Sequence, residues 1–234
     1  MVPVEKALQG VLARIAAAAR AAGRDPAEVT LLAVSKTFPA AAVREAYAAG
    51  LRAFGENYVQ EGAAKRAELA DLPGLRLALI GPLQSNKARL AAEAFDAVET
   101  VERLKTAQRL SAARPAGRPP LDVLVQANIS GEATKSGCAP EDAVALAQAV
   151  AGLPHLRLRG FMGIAEPTED VAKQRAQFAL LRRCRDEARA KGLDVPVLSM
   201  GMTADLEAAI AEGATEVRVG TAIFGARPAA SGVR

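Results

Sequence analysis

Lys36 is the residue with the greatest potential for chemistry, and it follows a short apolar strand. The segment VTLLAVSKTFP, residues 29–39, contains an apolar run from Leu31 to Val34 that is too short for a typical helix. A strand that is apolar on both faces is typical of a parallel sheet covered by helices. Lys36 then lies where the strand leaves the sheet. Taken alone, this lysine is more often a solvated strand end than an amine held in a cleft, because lysine is mostly exposed.

Two glycine-rich loops near the C-terminus have the composition of a phosphate-binding site. They read SMGMT at residues 199–203 and GTAIFG at residues 220–225. Glycine permits a close approach of the backbone to a ligand, and serine and threonine hydroxyls add hydrogen-bond donors. In (β/α)8 barrels, phosphate is often bound by the loops after the seventh and eighth strands. The alternative is that these glycines only form tight turns.

Arg218 lies inside the last predicted strand, two residues before Gly220. Strand alternation places Arg218 and Gly220 on one face, and the flanking valines on the other. An arginine in a short, mostly apolar strand needs a partner or a ligand. A lysine amine across the barrel mouth from a phosphate-binding loop and an arginine suits a ligand with both a phosphate and an aldehyde. Lysine amines form Schiff bases with carbonyl groups, and do so better near another cation.

Eight strand–helix units are predicted to position these residues. The strands are predicted at residues 31–34, 52–54, 75–80, 96–99, 121–127, 156–162, 195–199 and 216–219. Alternating strands and helices favour a parallel sheet, and eight units favour a closed (β/α)8 TIM-type barrel over an open sheet. An extra amphipathic N-terminal helix covers residues 1–22, and residues 228–234 form a frayed tail. No linker is evident, so residues 1–234 are predicted to form a single domain.

Composition excludes several classes of function. Only 3% of the residues are aromatic, which argues against stacking platforms for nucleic acid, and the net charge of +4 is spread among mixed charges. The two cysteines lie far apart in sequence, so neither a disulfide framework nor a metal site is predicted. No signal peptide or membrane-length apolar run is present. We therefore expect a cytoplasmic, monomeric protein that binds neither nucleic acid nor membranes.

Seven segments resemble the pyridoxal-phosphate homeostasis protein family, which is itself similar to the N-terminal barrel of bacterial alanine racemases. The segments fall at the predicted strand exits and span nearly the whole chain. They are AVSKTFP (33–39), FGENYVQE (54–61), IGPLQSNK (80–87), SGEATKSG (130–137), GFMGI (160–164), LSMGMTADLEAAI (198–210) and VRVGTAIFGAR (217–227).

The resemblance implies that pyridoxal 5'-phosphate is the cofactor and that Lys36 carries it as an internal aldimine. It implies that Arg218 faces the pyridine nitrogen, where an arginine weakens the electron-sink behaviour of the cofactor. Asn57 would lie near the ring or its 3-hydroxyl, and the role of Lys135 is open. The residues implied in phosphate binding, by side chain or backbone, are Ser199, Met200, Gly201, Gly220 and Thr221.

One segment departs from the family pattern. Family members usually have an aromatic-His-aromatic run before the third-strand IG, whereas this chain has Leu77-Ala78-Leu79. Any role of that histidine in ring contacts or proton transfer is therefore absent. The residues implied in phosphate binding and in the Schiff base are all retained.

Three functions remain open at this point. The resemblance implies a non-catalytic protein that stores pyridoxal phosphate and exchanges it with apo-enzymes. A racemase would need a second acid–base group opposite the lysine, which the racemases take from a tyrosine in a separate domain. The only candidate here is Tyr58, since Tyr47 lies on a predicted outer helix. A lysine-dependent aldolase for phosphorylated sugars would share the lysine and the phosphate loops.

Overall fold

The computed structural model describes residues 3–132 and 134–225 and shows a closed barrel of eight strands in sequence order. Every neighbouring pair of strands is parallel, including the closing pair of the first and last strands. The strands are β1 (Thr30–Val34), β2 (Ala53–Glu56), β3 (Arg76–Leu79), β4 (Ala97–Val101), β5 (Leu121–Gln126), β6 (Leu156–Met162), β7 (Val197–Ser199) and β8 (Glu216–Val219). The predicted (β/α)8 barrel is confirmed.

Helices form the outer layer of the barrel; α1 precedes β1, and an α-helix follows each strand. They are α1 (Val4–Ala21), α2 (Ala40–Ala48), α3 (Val59–Glu68), α4 (Ala88–Ala94), α5 (Leu104–Ala113), α6 (Pro140–Ala151), α7 (Val171–Ala190), α8 (Leu206–Ala211) and α9 (Thr221–Phe224). The predicted N-terminal helix is α1, which buries Leu8, Val11 and Ile15 on one face. The predicted frayed tail lies outside the described residues, and the single domain over 1–234 stays a prediction.

Three local expectations differ from the structure. Strand β2 continues through Gly55 and Glu56, so the turn begins at Asn57. The Ser85 hydroxyl is expected from its position after the third strand to cap the next helix, but it makes no capping hydrogen bond, and Ser85 instead starts a short 3₁₀ turn before α4. The short helix α9 has no counterpart in the sequence prediction, because it is too brief to show a full amphipathic repeat.

The barrel has two distinct packing surfaces. Outward-facing strand residues, such as Phe54, Val217 and Val219, belong to the hydrophobic core that the helices cover. Leu32 and Ala78 are also buried, but they lie outside that core because they face the barrel interior. Leu32 is the register partner of Arg218, so Arg218 shares the inward face. The predicted alternation along β8 is confirmed.

Closure of the barrel changes the predicted position of Lys36. Strand β1 pairs directly with β8, and a Cβ atom on Gly220 would lie 3.0 Å from the Val34 carbonyl oxygen. The loop after β1 therefore lies beside the loop after β8. Lys36 is adjacent to the glycine-rich exit rather than across the mouth from it. The part of the chain that the structure describes contains no helix long and apolar enough to cross a membrane.

Candidate cofactor site

Lys36 occupies the second position of a tight turn at the carboxyl end of β1. The Ser35 carbonyl oxygen accepts a hydrogen bond from the Phe38 amide at 3.1 Å, which closes the four-residue turn. Thr37, at the third position, has a φ of +69°. A positive φ at this position is typical of a type II turn, where glycine or asparagine is preferred. The half-buried Lys36 is thus followed by a β-branched residue, Thr37, in a backbone conformation that such residues rarely adopt.

A buried ion cluster holds this turn from outside the barrel. Lys65 of α3 is only 4% exposed, and its Nζ donates to the Ser35 carbonyl at 2.7 Å, to Glu56 Oε1 at 2.7 Å and to Glu61 Oε1 at 2.8 Å. Ser35 Oγ also donates to Glu56 Oε1 at 2.6 Å, and the Thr37 amide donates to Glu61 Oε1 at 2.6 Å. Burial raises the pKa of Glu56, against the lowering effect of its bonds to Lys65 and Ser35. Lys65 Nζ, Glu56 Oε1 and Glu61 Oε1 thus all bind the turn or each other, whereas the second oxygen of Glu56, Oε2, is buried without a hydrogen-bond partner among the described residues.

Arg218 is held inside the barrel by three strands. Its Nη1 donates to Ser199 Oγ at 2.8 Å, and its Nη2 donates to the Gly163 carbonyl oxygen at 2.9 Å. Ser199 Oγ in turn donates to Glu99 Oε2 at 2.7 Å. The arginine is buried, as expected from its strand, and its partners come from the ends of β6 and β7 and from β4. Its predicted contact with a pyridine nitrogen stays a prediction.

The carboxyl groups near Arg218 compensate its charge. Burial raises the pKa of Glu99 well above its ordinary value, and the neighbouring Glu216 carboxylate raises it further. Arg218 acts in the opposite direction on Glu99, while burial lowers the pKa of Arg218 itself. Burial and the Glu216 carboxylate thus favour the neutral form of Glu99, whereas the guanidinium of Arg218 favours its charged form.

The environment of Ser199 bears on its predicted role in phosphate binding. A hydroxyl has one donor and two acceptor sites. The Ser199 donor is directed at Glu99, and Arg218 occupies one of its acceptor sites. To donate to a phosphate oxygen, this hydroxyl would have to leave Glu99. The role of Ser199 in phosphate binding stays a prediction, and it requires the hydroxyl to break its hydrogen bond to Glu99.

The two glycine-rich exits have backbone geometry suited to close approach. Gly201 has a φ of +93°, and its carbonyl oxygen accepts from the Arg218 amide at 2.9 Å. This bond joins the exits of β7 and β8 into one unit. Gly220 precedes Thr221, which is exposed at the start of α9, whereas Met200 is buried. The predicted phosphate residues thus lie on two linked loops beside β1.

Asn57 lies at the end of β2, where its backbone packs directly on Gly81. Any Cβ on Gly81 would overlap with the Asn57 carbonyl oxygen, so glycine is required there. Asn57 also lines a cavity of about 260 Å³ at the carboxyl end of the barrel, together with Gln126, Lys135 and Met202. Lys36 does not line this cavity. Asn57 nevertheless stands at the exit next to Lys36, because β2 pairs directly with β1, whereas Lys135 belongs to the loop after β5.

Ala78 occupies the position of the family histidine, and it faces the barrel interior beside its register partner Gly55. A Cβ on Gly55 would lie 2.9 Å from Ile80 Cδ1 and 3.1 Å from Leu32 Cδ2. This side of the interior is therefore filled by small and aliphatic groups. No proton-transfer group stands at residue 78 in this chain.

A larger cavity of about 840 Å³ opens at the opposite end, around the amino ends of the strands. Its charged side chains are largely paired. Asp122 accepts from Arg157 Nε at 2.5 Å and from Arg76 at 3.1 Å, and Arg114 donates to backbone carbonyl oxygens. In this architecture the amino-terminal face serves stability, whereas sites lie at the other face. We therefore place the candidate site at the Lys36 end.

Sequence reasoning missed the charged residues that support the site. Glu56 and Lys65 become informative only when their contacts are known, whereas Glu99 lies inside a predicted strand. A carboxylate inside the short predicted strand 96–99 was a usable signal, by the same argument that singled out Arg218. Lys65 gave no signal, because a lysine on an amphipathic helix is usually solvated.

Comparison with known proteins identifies the family of this chain. The alanine racemase N-terminal domain family model matches residues 8–228. The chain is 66% identical over 217 residues to the pyridoxal phosphate homeostasis protein of Pseudomonas aeruginosa, covering 93% of each chain. It is similar to the structure of Synechococcus elongatus PipY with PLP bound, at 44% identity, a TM-score of 0.78, and coverage of 92% of this chain and 100% of that one.

A more distant neighbour shares the fold alone. Alanine racemase of Clostridium difficile has a TM-score of 0.73 at 16% identity, and the match covers 88% of this chain but 57% of the racemase. The barrel is thus common to both, whereas much of the racemase has no counterpart in the match. By the extent of its identity to the Pseudomonas relative, the chain belongs to the pyridoxal phosphate homeostasis protein family, within the alanine racemase N-terminal domain family.

Proposed function

We propose that this protein binds pyridoxal 5'-phosphate covalently through Lys36 and takes part in its homeostasis without catalysing a reaction of its own. The observation that carries the proposal is the position of Lys36. It stands on a constrained turn at the carboxyl end of β1, beside the linked glycine loops after β7 and β8. The name of the relatives, and the PLP in the PipY structure, support the choice of ligand.

The residues at the barrel mouth fit this cofactor. The buried guanidinium of Arg218 is fixed on the interior face two residues before the Gly220 exit. The backbone at Gly220 approaches β1 closely, since a Cβ atom there would lie 3.0 Å from the Val34 carbonyl oxygen. When bound, the cofactor supplies an aldehyde that condenses with a primary amine and releases water. The protein's part is to aim the Lys36 amine, to hold the phosphate and to keep a cation near the ring.

A carrier role is favoured by the positions of the tyrosines. Tyr58 is 59% exposed, and Tyr47 on α2 donates its hydroxyl to the Pro73 carbonyl oxygen at 2.7 Å. A second acid–base group must be fixed near the substrate to act. Neither tyrosine is held at the interior beside Arg218. We propose apo-enzymes that use pyridoxal phosphate as partners, while the monomeric state and the cytoplasmic location stay predictions.

Reductive trapping tests the proposal. The purified protein is mixed with pyridoxal phosphate, reduced with borohydride and digested, and the modified peptide is identified by mass spectrometry. We expect modification of Lys36 and loss of the visible adduct absorbance in Lys36→Ala. Lys135→Ala, at the other side of the mouth, is the matched control and should retain the absorbance. Trapping only at Lys135 or Lys87 would refute the site.

A second assay separates the carrier from a racemase. Free alanine and serine are incubated with the loaded protein, and the enantiomer ratio is followed over time. A carrier leaves the ratio unchanged. Sustained racemisation that is lost in Tyr58→Phe would overturn the carrier proposal.

A further inference from the structure

We propose that Lys65 is a positioning residue for Lys36, acting from outside the barrel through Glu56, Glu61 and the backbone of the Lys36 turn. This inference rests on the proposed function, because it concerns the amine that would attach the cofactor. Lys65 itself lies on α3, behind β1 and β2. Its hydrogen bonds fix the backbone of the turn, and that backbone determines the direction of the Lys36 side chain.

The turn needs external support. Thr37 is β-branched and adopts a φ of +69°, a conformation that such residues rarely hold unless the surroundings impose it. The support comes from both sides of Lys36. On one side, the Ser35 carbonyl accepts from Lys65 Nζ at 2.7 Å; on the other, the Thr37 amide donates to Glu61 at 2.6 Å.

Lys65 connects the two supports. An ammonium group has three donors. All three are used here, on the Ser35 carbonyl and on the carboxylates of Glu56 and Glu61. Because Lys65 is buried, its charge requires these partners. Loss of the ammonium group would release Glu61, and with it the Thr37 amide, from a fixed position.

The cluster is also separate from the predicted cofactor contacts. Glu56 alternates with the inward-facing Gly55 on β2, so its carboxylate lies on the outer face of the barrel with Lys65. Arg218 and its partner Ser199 face the interior and share no partner with this cluster. A change at Lys65 can therefore alter the aim of Lys36 while leaving recognition of the phosphate and the ring intact.

The test compares covalent attachment with non-covalent binding in Lys65→Met. Methionine keeps the length and removes the charge, and Glu56 can take up a proton because burial already raises its pKa. Attachment is followed by the absorbance of the pyridoxal phosphate adduct. Non-covalent binding is measured with 4'-deoxypyridoxine 5'-phosphate, which lacks the aldehyde. A misplacement of about 1 Å slows a reaction on the order of a hundredfold, so we expect attachment to slow about tenfold to a hundredfold. Affinity for the analogue should not change.

Two further variants make the outcome decisive. Lys173→Met removes an ion pair of similar length, between Lys173 Nζ and Glu166 at 2.8 Å on α7, and should attach at the wild-type rate. Glu61→Ala removes the acceptor of the Thr37 amide but leaves Lys65 paired with Glu56, and should also slow attachment. It serves as the test if Lys65→Met fails to fold.

Each remaining result counts against the inference. Wild-type attachment rates in both Lys65→Met and Glu61→Ala overturn it. So does an equal loss of attachment and of analogue affinity, since that indicates general damage to the mouth. If the wild-type protein itself attaches nothing at Lys36, the proposed function fails, and this inference fails with it.

Discussion

Replacing Arg218 by methionine tests how the buried charge in the barrel is compensated. The substitution removes two charge-assisted hydrogen bonds, to Ser199 at 2.8 Å and to the Gly163 carbonyl at 2.9 Å. Hydrogen bonds to charged groups contribute about 1.5–3 kcal/mol each, so we expect a loss of about 3–6 kcal/mol in the free energy of unfolding. For a protein of this size, that corresponds to a melting temperature lower by about 6–24 °C.

The same variant leaves Glu99 and Glu216 without their cation. Removing one partner of a buried charge network exposes the cost of the charge that remains. Glu99→Gln keeps an acceptor for Ser199 while removing one carboxyl group of the pair. The double variant Arg218→Met/Glu99→Gln should therefore lose less stability than the two single variants together, by about 0.5–3 kcal/mol.

Thermal melting of the four proteins at pH 8, followed by circular dichroism, measures this coupling. The destabilisation by Arg218→Met should be larger at pH 9 than at pH 5, because acid neutralises Glu99, whose pKa is raised and whose charge the arginine compensates. If the double variant equals the sum of the single ones within about 0.5 kcal/mol, Glu99 is not the counterion of Arg218 and the reasoning is wrong.

Three further predictions concern pH, packing and thiol reactivity. The raised pKa of Glu99 gives stability that is present at low pH and lost as pH rises through that pKa, so the melting temperature of Glu99→Gln relative to wild type should increase with pH; a constant difference from pH 5 to pH 9 would contradict this. Gly160→Ala should sharply lower the yield of folded protein, since its Cβ would overlap with the Val197 carbonyl oxygen, whereas Gly10→Ala, with nothing within 4 Å, should melt at or above the wild-type temperature. Burial raises the pKa of Cys138 to about 12, so its thiol should react with Ellman's reagent at pH 8 far more slowly in the native protein than after unfolding; equal rates would show that the thiol is accessible.

The barrel could be predicted from sequence because its strands are local signals. The predicted bounds of β6 and β8 match the structure, and each has apolar residues with turn residues at its ends. Strand β2 was predicted too short, because Glu56 is charged and charged residues usually end strands. The Glu56 carboxylate is accommodated in the strand because it is paired with Lys65, which lies nine residues further along the chain on α3.

The site could be predicted only as far as strand ends define it. Lys36 and Gly220 were identified because both follow strands, and parallel strands bring their carboxyl ends to one face. Which exits are neighbours depends on barrel closure, which pairs β1 with β8 and corrects the expected placement across the mouth. The hydrogen bond between Ser199 and Glu99 joins residues 100 positions apart in sequence, and no local sequence pattern predicts it.

The two cations that flank the candidate site are held by separate means, and this bears on what the protein can do. Lys36 is supported from the outer face by α3, through Lys65 and Glu61. Arg218 is supported from the inner face by Ser199 and Glu99. The hydrogen bonds and ion pairs given above for the two clusters have no residue in common, so the proposed roles of Lys36 in covalent attachment and of Arg218 beside the ring can be tested independently. For the proposed carrier, that separation would allow the covalent bond to break while the ring and phosphate contacts still orient the ligand.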